Sequence, residues 1–201
     1  GASAELVSKP IKTLPTIFVK DTECAMSDIA RAIRDSFVGE VFALTGSQGK
    51  TSTRGFLASI LAEMVRASSS ESILVTQGNL NNHLGVPLTM ARLRPHHRYA
   101  LFELGASAIG EIDHLASIVR PQISALLNAR AAHLEGFGSL DGVIRSKGEI
   151  IDHTAIDGTI ILNRDEPAFQ EWVKRAGSRQ IISVGRTNAD LIWSQVSDQG
   201  V

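Results

Sequence analysis

The densest chemistry in this chain lies in Thr45-Gly46-Ser47-Gln48-Gly49-Lys50-Thr51-Ser52, after an apolar run and at the start of a helical pattern. Glycines let the backbone turn tightly, so that N–H groups at a helix N-terminus can converge on phosphate oxygens. A lysine in the place of Lys50 reaches β and γ phosphates, and a hydroxyl in the place of Thr51 ligates Mg²⁺. The usual phosphate loop has four residues between its glycines, whereas here only Ser47 and Gln48 intervene. The plainer alternative is a strand-to-helix turn that contains Gly-Lys-Thr. A second signal is Glu103, which interrupts the apolar run Tyr99–Leu104 near its end. A carboxylate in such a place needs an arginine partner, a path to solvent or a metal ion; beside a phosphate loop it suits Mg²⁺.

Four further segments carry polar chemistry. Asn128–Gly138 contains His133, which suits a metal or a phosphate or is an exposed loop histidine. Ser146-Lys147-Gly148-Glu149 lies in a helical pattern. Its spacing alone makes Lys147 a surface lysine, while a buried lysine near metals would have a lowered pKa and react with CO₂. Gly78–Pro87 carries Asn79, Asn81 and Asn82, either as amide donors and acceptors or as turn formers. In Leu162–Pro167, Asn163 could read a base edge and Asp165 could cap the next helix.

These residues need a scaffold that brings them together. Candidate strands are Thr16–Val19, Glu40–Leu44, Ile73–Thr76, Tyr99–Leu104, Ile123–Asn128, Thr159–Asn163 and Gln180–Val184. Candidate helices are Glu23–Ser36, Lys50–Ala67, Val86–Arg92, Gly110–Ile118, Leu140–Thr154 and Glu166–Ala176. The alternation predicts an α/β fold, a mainly parallel sheet flanked by helices. The runs at 40–44, 99–104 and 123–128 are near-continuously apolar, as strands covered on both faces should be. Ligands of such sheets gather beyond the carboxyl ends of the strands. Every segment singled out above follows a strand except the one around Lys147.

The chain has 201 residues and a net charge of −1, with 43% hydrophobic residues. That is globular composition, and the balance of charge excludes a broad nucleic-acid-binding face. No apolar run approaches the roughly eighteen residues of a membrane span. A single cysteine and no signal-like start predict a cytoplasmic protein.

Together these segments resemble the Mur ligase family, ATP-dependent amide ligases of cell-wall precursor synthesis. The resemblance rests on GNLNNHLGVPL (78–88), ELGASAIGEI (103–112) and above all HLEGFGSLDGVIRSKGEI (133–150). The compact glycine loop is the family's form of the phosphate loop. The likeness implies that residues 21–201 are a P-loop-containing central ATP-binding domain. It implies that residues 1–20 are a remnant of an N-terminal UDP-sugar-binding domain and its linker, with the C-terminal ligase domain outside this chain, and that the fragment alone is inactive.

By the same resemblance, Thr45 to Ser52 bind ATP, and Lys50 stabilises the phosphoryl group in transfer. Thr51 and Glu103 match a first Mg²⁺ site, and His133 with a carbamylated Lys147 a second. Asn163 matches the adenine contact, and Asn79 and Asn82 a polar loop beside phosphates and substrate. The implied partners are UDP-N-acetylmuramoyl-tripeptide and D-alanyl-D-alanine, joined by a monomeric enzyme. His83 stands where relatives often carry an acidic residue, and Arg130 is bulkier than the family pattern. The alternatives are another amino-acid-adding ligase, a folylpolyglutamate synthetase, or a nucleotide-binding module without ligase chemistry.

Overall fold

The computed structural model describes residues 4–9, 15–65, 72–132 and 134–193. In chain order the elements are β1 (Glu5–Val7), β2 (Thr16–Phe18), α1 (Thr22–Ser36), β3 (Glu40–Thr45), α2 (Lys50–Val65), β4 (Ile73–Val75), α3 (Gly85–Met90) and β5 (Tyr99–Glu103). There follow α4 (Glu111–Val119), β6 (Ile123–Leu126), α5 (Leu134–Phe137), α6 (Leu140–Asp152), β7 (Thr159–Asn163), α7 (Phe169–Ala176), β8 (Gln180–Gly185) and β9 (Leu191–Ile192). β1 and β2 pair with each other as a small parallel sheet. The other seven strands form one sheet in the order β4-β5-β3-β6-β7-β8-β9, and every neighbouring pair is parallel.

The predicted α/β class is therefore the observed one. β3 lies between β5 and β6, so the chain first builds to one side of β3 and then crosses to the other. The carboxyl end of β3 is thus the switch point of the sheet, where ligand crevices form. The predicted phosphate loop sits there.

The two faces of the sheet are covered unequally. One face packs Val41, Ala43, Phe102, Leu126 and Ile160 against α1, α3, α4, α6 and α7 in a single large core. The other face has a small core, in which Leu57, Leu61 and Val65 of α2 meet Leu44, Tyr99 and Leu101. α2 covers β5 and β3 but not β6. Hence β5 is buried at all five residues, whereas β6 alternates between buried and half-buried. The expectation that residues 123–128 are covered on both faces is corrected by this gap.

Helix ends follow local chemistry. The Asp21 carboxylate accepts from the Glu23 and Cys24 N–H groups and starts α1. Ser139 does the same for α6 through Gly142 N–H. Asp165 does not cap α7. That helix starts at Phe169 with no side-chain cap, and the Asp165 carboxylate accepts instead from Arg186 N–H. Among the described residues no helix is long and apolar enough to cross a membrane.

α6 is held from behind by α7. Trp172 is fully buried, and its indole N–H donates to the Ile144 carbonyl at 3.2 Å. Replacing it with alanine removes both the bond and the ring. Trp172→Ala is expected to cost about 3–5 kcal/mol in urea unfolding at an unchanged m value. A loss below about 1 kcal/mol would mean that α6 does not depend on this contact.

Candidate active site

The loop after β3 is shaped by its glycines and by a neighbouring loop. Gly49 has φ of 79°, which favours glycine. A Cβ on Gly46 would stand 3.0 Å from the Leu127 side chain, so a larger residue would push the loop off β6. Ser47 N–H donates to the Asn128 carbonyl at 3.1 Å and Gln48 N–H to Asn128 Oδ1 at 3.0 Å, while Asn128 Nδ2 returns a bond to the Gln48 carbonyl. Two of the loop amides predicted to face phosphate are thus used by Asn128, a residue the sequence reading did not single out.

Lys50 Nζ folds back over the loop, donating to the carbonyls of Gly46 at 2.7 Å and Ser47 at 3.4 Å. Burial lowers its pKa, and the Glu103 charge works in the opposite direction. Thr45 is buried with its hydroxyl on the Leu104 carbonyl, and Ser52 is exposed on the first turn of α2.

Glu103 closes β5 and is 2% exposed. Its carboxylate meets Arg54 Nη1 at 3.0 Å and accepts from Asn81 Nδ2 at 2.8 Å. The solvent path offered by the sequence does not exist, and the arginine partner does. Arg54 is a site residue that sequence reasoning missed, and Asn81 was read there only as one of three loop amides, with no partner. Arg54 lies three residues beyond Thr51 on the same helix face, a spacing that could have pointed to it.

The Thr51 hydroxyl stands 3.3 and 3.4 Å from the two Glu103 oxygens, longer than a good O–H···O bond. Two hard oxygen donors thus face each other across a short gap, which suits Mg²⁺ that also takes phosphate oxygens. Among the described residues no three His, Cys, Asp or Glu side chains form a ready metal cage.

The Asn-rich loop divides its labour. Asn81 turns to Glu103, and its carbonyl accepts from Gly105 N–H. Asn82 Oδ1 accepts from Leu84 and Gly85 N–H at the start of α3, and Asn79 is exposed. Asn82 and His83 border a cavity of about 530 Å³ that also touches Gly105, Ser107 and His114.

Lys147 is 2% exposed, which overturns the surface-lysine reading of its spacing. Its ammonium lies 3.4 Å from the Ala106 carbonyl and 5.3 Å from the centre of the Phe137 ring. Burial lowers its pKa to about 8, with the Lys50 charge adding to the effect and Glu111 and Glu149 opposing it. His133 lies outside the described residues.

Asn163 at the end of β7 donates to the Leu127 carbonyl and accepts from Asp165 N–H. It borders an apolar cavity of about 260 Å³ with Leu127, Ile161 and Trp193, on the sheet surface that α2 leaves open. The carboxyl edge therefore collects Lys50, Thr51, Glu103, Asn81, Lys147 and Asn163 from five separate loops and helices.

Comparison with known proteins identifies the family. Residues 44–200 match the Mur ligase middle domain. The chain is 44% identical over 199 residues to the UDP-N-acetylmuramoyl-tripeptide–D-alanyl-D-alanine ligase of Escherichia coli, covering 98% of this chain and 43% of that protein. A crystal structure of MurF from Acinetobacter baumannii superposes with a TM-score of 0.83 at 40% identity, over 92% of this chain and 39% of that one. MurF ligase from Thermotoga maritima in complex with ADP gives 0.83 at 29% identity, over 97% and 44%. The chain thus spans less than half the length of these relatives. On the match to the middle domain and the identity to its ligases, this chain belongs to the Mur ligase family.

Proposed function

We propose that this chain is the central, ATP-binding part of a ligase that adds D-alanyl-D-alanine to UDP-N-acetylmuramoyl-tripeptide. The observation that carries the reading is the meeting of Lys50, Thr51, Glu103 and Lys147 at the switch point of one parallel sheet. Simple nucleotide binding has no use for a buried lysine beside the phosphate loop. The names of the relatives support the same reaction. In this reading residues 1–20 end an N-terminal UDP-sugar-binding domain, and a C-terminal domain completes the ligase.

The chemistry is two displacements. The terminal carboxylate of the tripeptide attacks the γ-phosphorus of ATP, forming an acyl phosphate while ADP leaves. The amine of D-alanyl-D-alanine then attacks the acyl carbon, loses a proton and expels phosphate. Both reactants of the first step are anions, so catalysis is mainly positioning and charge stabilisation.

Lys50 exchanges its two loop carbonyls for β and γ phosphate oxygens and follows the charge as it moves. Thr51 and Glu103 are the residues that would hold Mg²⁺, and Arg54 and Asn81 fix the Glu103 carboxylate for it. Mg²⁺, when bound, supplies neutralisation of phosphate charge. Asn163 faces the adenine, with the apolar cavity beside it for the base. Asn79 and Asn82 border the carboxyl substrate, and His133 would join Lys147 in holding a second Mg²⁺.

Lys147 is the residue of this set whose charge state matters most. With a pKa of about 8 it is partly neutral at pH 7–8, and a neutral amine adds CO₂ to give a carbamate and a proton. As carbamate, Lys147 would offer anionic oxygen to a second Mg²⁺. With ¹³C-bicarbonate, a carbamate carbonyl resonance is expected in the protein and absent from Lys147→Ala. No such resonance would remove the carbamate and leave Lys147 as a cation.

The same shift has a stability consequence. The folded state releases the Lys147 proton near pH 8, the unfolded chain only near 10.5. Between those values the unfolded state binds more protons, so stability rises with pH, by up to roughly 3 kcal/mol. Compared with Lys147→Met, this chain should therefore gain stability from pH 7.5 to pH 10. Parallel pH curves for the two would count against a charged buried lysine.

The reading itself is tested with the full-length protein, Mg·ATP and UDP-N-acetylmuramoyl-tripeptide. Phosphate release should depend on D-alanyl-D-alanine and yield the pentapeptide mass. Lys50→Ala should lower kcat by roughly 10²–10³-fold. Release with a single amino acid instead would point to a sibling ligase. ATP binding with no release on any acceptor would leave a nucleotide-binding module.

A further inference from the structure

We propose that Glu166 is a positioning residue for the phosphate loop, acting through residues 128–130 and held in place by Arg130. Glu166 lies six residues before the end of the first turn of α7 and three after Asn163, in a stretch the mechanism above does not use. Its side chain is 1% exposed, whereas that of Arg130 is half exposed. The two carboxylate oxygens meet the two terminal nitrogens of Arg130, each at 2.6 Å. Oε2 also accepts from Ala129 N–H at 3.2 Å. A planar fork on a carboxylate with a backbone donor beside it fixes both partners in distance and orientation.

The segment so gripped is the one that holds the glycine loop. Asn128 takes the N–H groups of Ser47 and Gln48. Arg130 N–H donates to Ser47 Oγ at 2.9 Å, and the Ser47 hydroxyl donates to the Arg130 carbonyl at 3.2 Å. Hydrogen bonds therefore lead from the buried carboxylate to Arg130 and on to Ser47, while the bond to Ala129 N–H fixes the backbone next to Asn128, which holds Ser47 and Gln48. Gly46 packs directly on Leu127, so the loop has no slack towards β6. Neither Glu166 nor Arg130 has to touch nucleotide for the pair to set where the loop amides and Lys50 stand.

The burial asymmetry says which partner does what. Arg130 can relax into water if its partner goes. Glu166 cannot, and without Arg130 it is a buried charge with a single backbone donor. The pair also joins the loop after β6, which carries His133, to the loop after β7, which carries Asn163. It thereby sets the separation of the two ends of the nucleotide site.

The proposal rests on the ligase reading only in taking the glycine loop as the nucleotide loop. The test uses the full-length protein with Glu166→Gln, which keeps an acceptor for Ala129 N–H, and Arg130→Ala, which alters a half-exposed position. Each should raise KM for Mg·ATP and weaken Mg·ADP binding by about ten-fold, the worth of one charge-assisted bond. KM for UDP-N-acetylmuramoyl-tripeptide should stay within about two-fold, because that substrate does not touch the loop. Amide exchange at Ser47 and Gln48 should quicken in both variants. The double variant should be no worse than either single one, since both remove the same link.

Unchanged KM for Mg·ATP, or equal rises for both substrates, would overturn the proposal and leave the ligase reading intact. Mg·ADP binding without ligation on any acceptor would overturn the ligase reading, and the ADP affinity of Glu166→Gln would still decide this one. A wild-type protein that binds no nucleotide would overturn both.

Discussion

A carboxylate sealed at the end of a central strand sets the terms for everything around it. Taking a charge out of water costs several kcal/mol after relaxation, so Glu103 needs partners fixed in place. It finds Arg54 from α2 and Asn81 from the loop after β4. Arg54 also reaches the Gly78 carbonyl, and Asn81 also receives Gly105 N–H. One carboxylate thereby fixes the rotation of α2, the course of the Asn-rich loop and the exit of β5. Because Thr51 and Arg54 share a helix face, locking Arg54 on Glu103 brings the Thr51 hydroxyl to the same carboxylate. The metal-ready gap is a by-product of how the buried charge is satisfied.

Lys147 is the complementary case, a buried amine with no carboxylate in hydrogen-bond contact among the described residues. Its neighbours are a carbonyl and an aromatic face, and Lys50 repels it. Glu149, two residues on, is spent elsewhere. Its carboxylate accepts from Gly110 and Asp113 N–H and pins the start of α4 to α6. With α7 behind and α4 in front, α6 has little freedom to carry Lys147 out to water. Two cations facing one edge are relieved by an anion between them, which is the electrostatic case for a phosphate-bearing ligand there.

Much of this was legible in the residues. Apolar runs bounded by turn residues located every strand of the main sheet except the two-residue β9, and periodicity located every helix except the four-residue α5. The position of the glycine loop, and of Glu103 at the end of β5, came from the same reading. What spacing could not supply was partnership across the sheet. Lys147 sits on a helix whose neighbouring residues look ordinary, and it is buried only because that face meets the loop after β5 and Phe137 of α5. The pairing of Arg54 and Asn81 with Glu103 was invisible because it depends on where β4 and β5 lie beside β3, a matter of strand order. Asp165 looked like a helix cap because Glu-Pro follows it. The backbone instead delays the helix to Phe169, and the carboxylate is drawn to Arg186 N–H on the loop after β8. The likeness of segments 78–88, 103–112 and 133–150 to one family carried what composition could not, including the expectation that Lys147 is more than a surface lysine.

The glycine loop is fixed by bonds from its own chain. Asn128 clamps Ser47 and Gln48, and Lys50 satisfies its charge on the carbonyls of Gly46 and Ser47. Under the proposed reading a nucleotide would meet a formed loop and displace one side chain, so little ordering entropy would be charged to binding. The exchange favours phosphate on electrostatic grounds. Burial disfavours the charged form of Lys50, and two neutral carbonyls compensate that only in part. A phosphate oxygen carries net charge and forms the stronger, charge-assisted bond. Phosphate binding must then raise the pKa of Lys50 from its lowered value, and by linkage the lysine must bind phosphate more tightly when protonated. Under the proposed reading the desolvation of Lys50 thus becomes part of the drive for nucleotide binding. That drive reaches its full size only if the loop stays where Asn128 and its supports hold it.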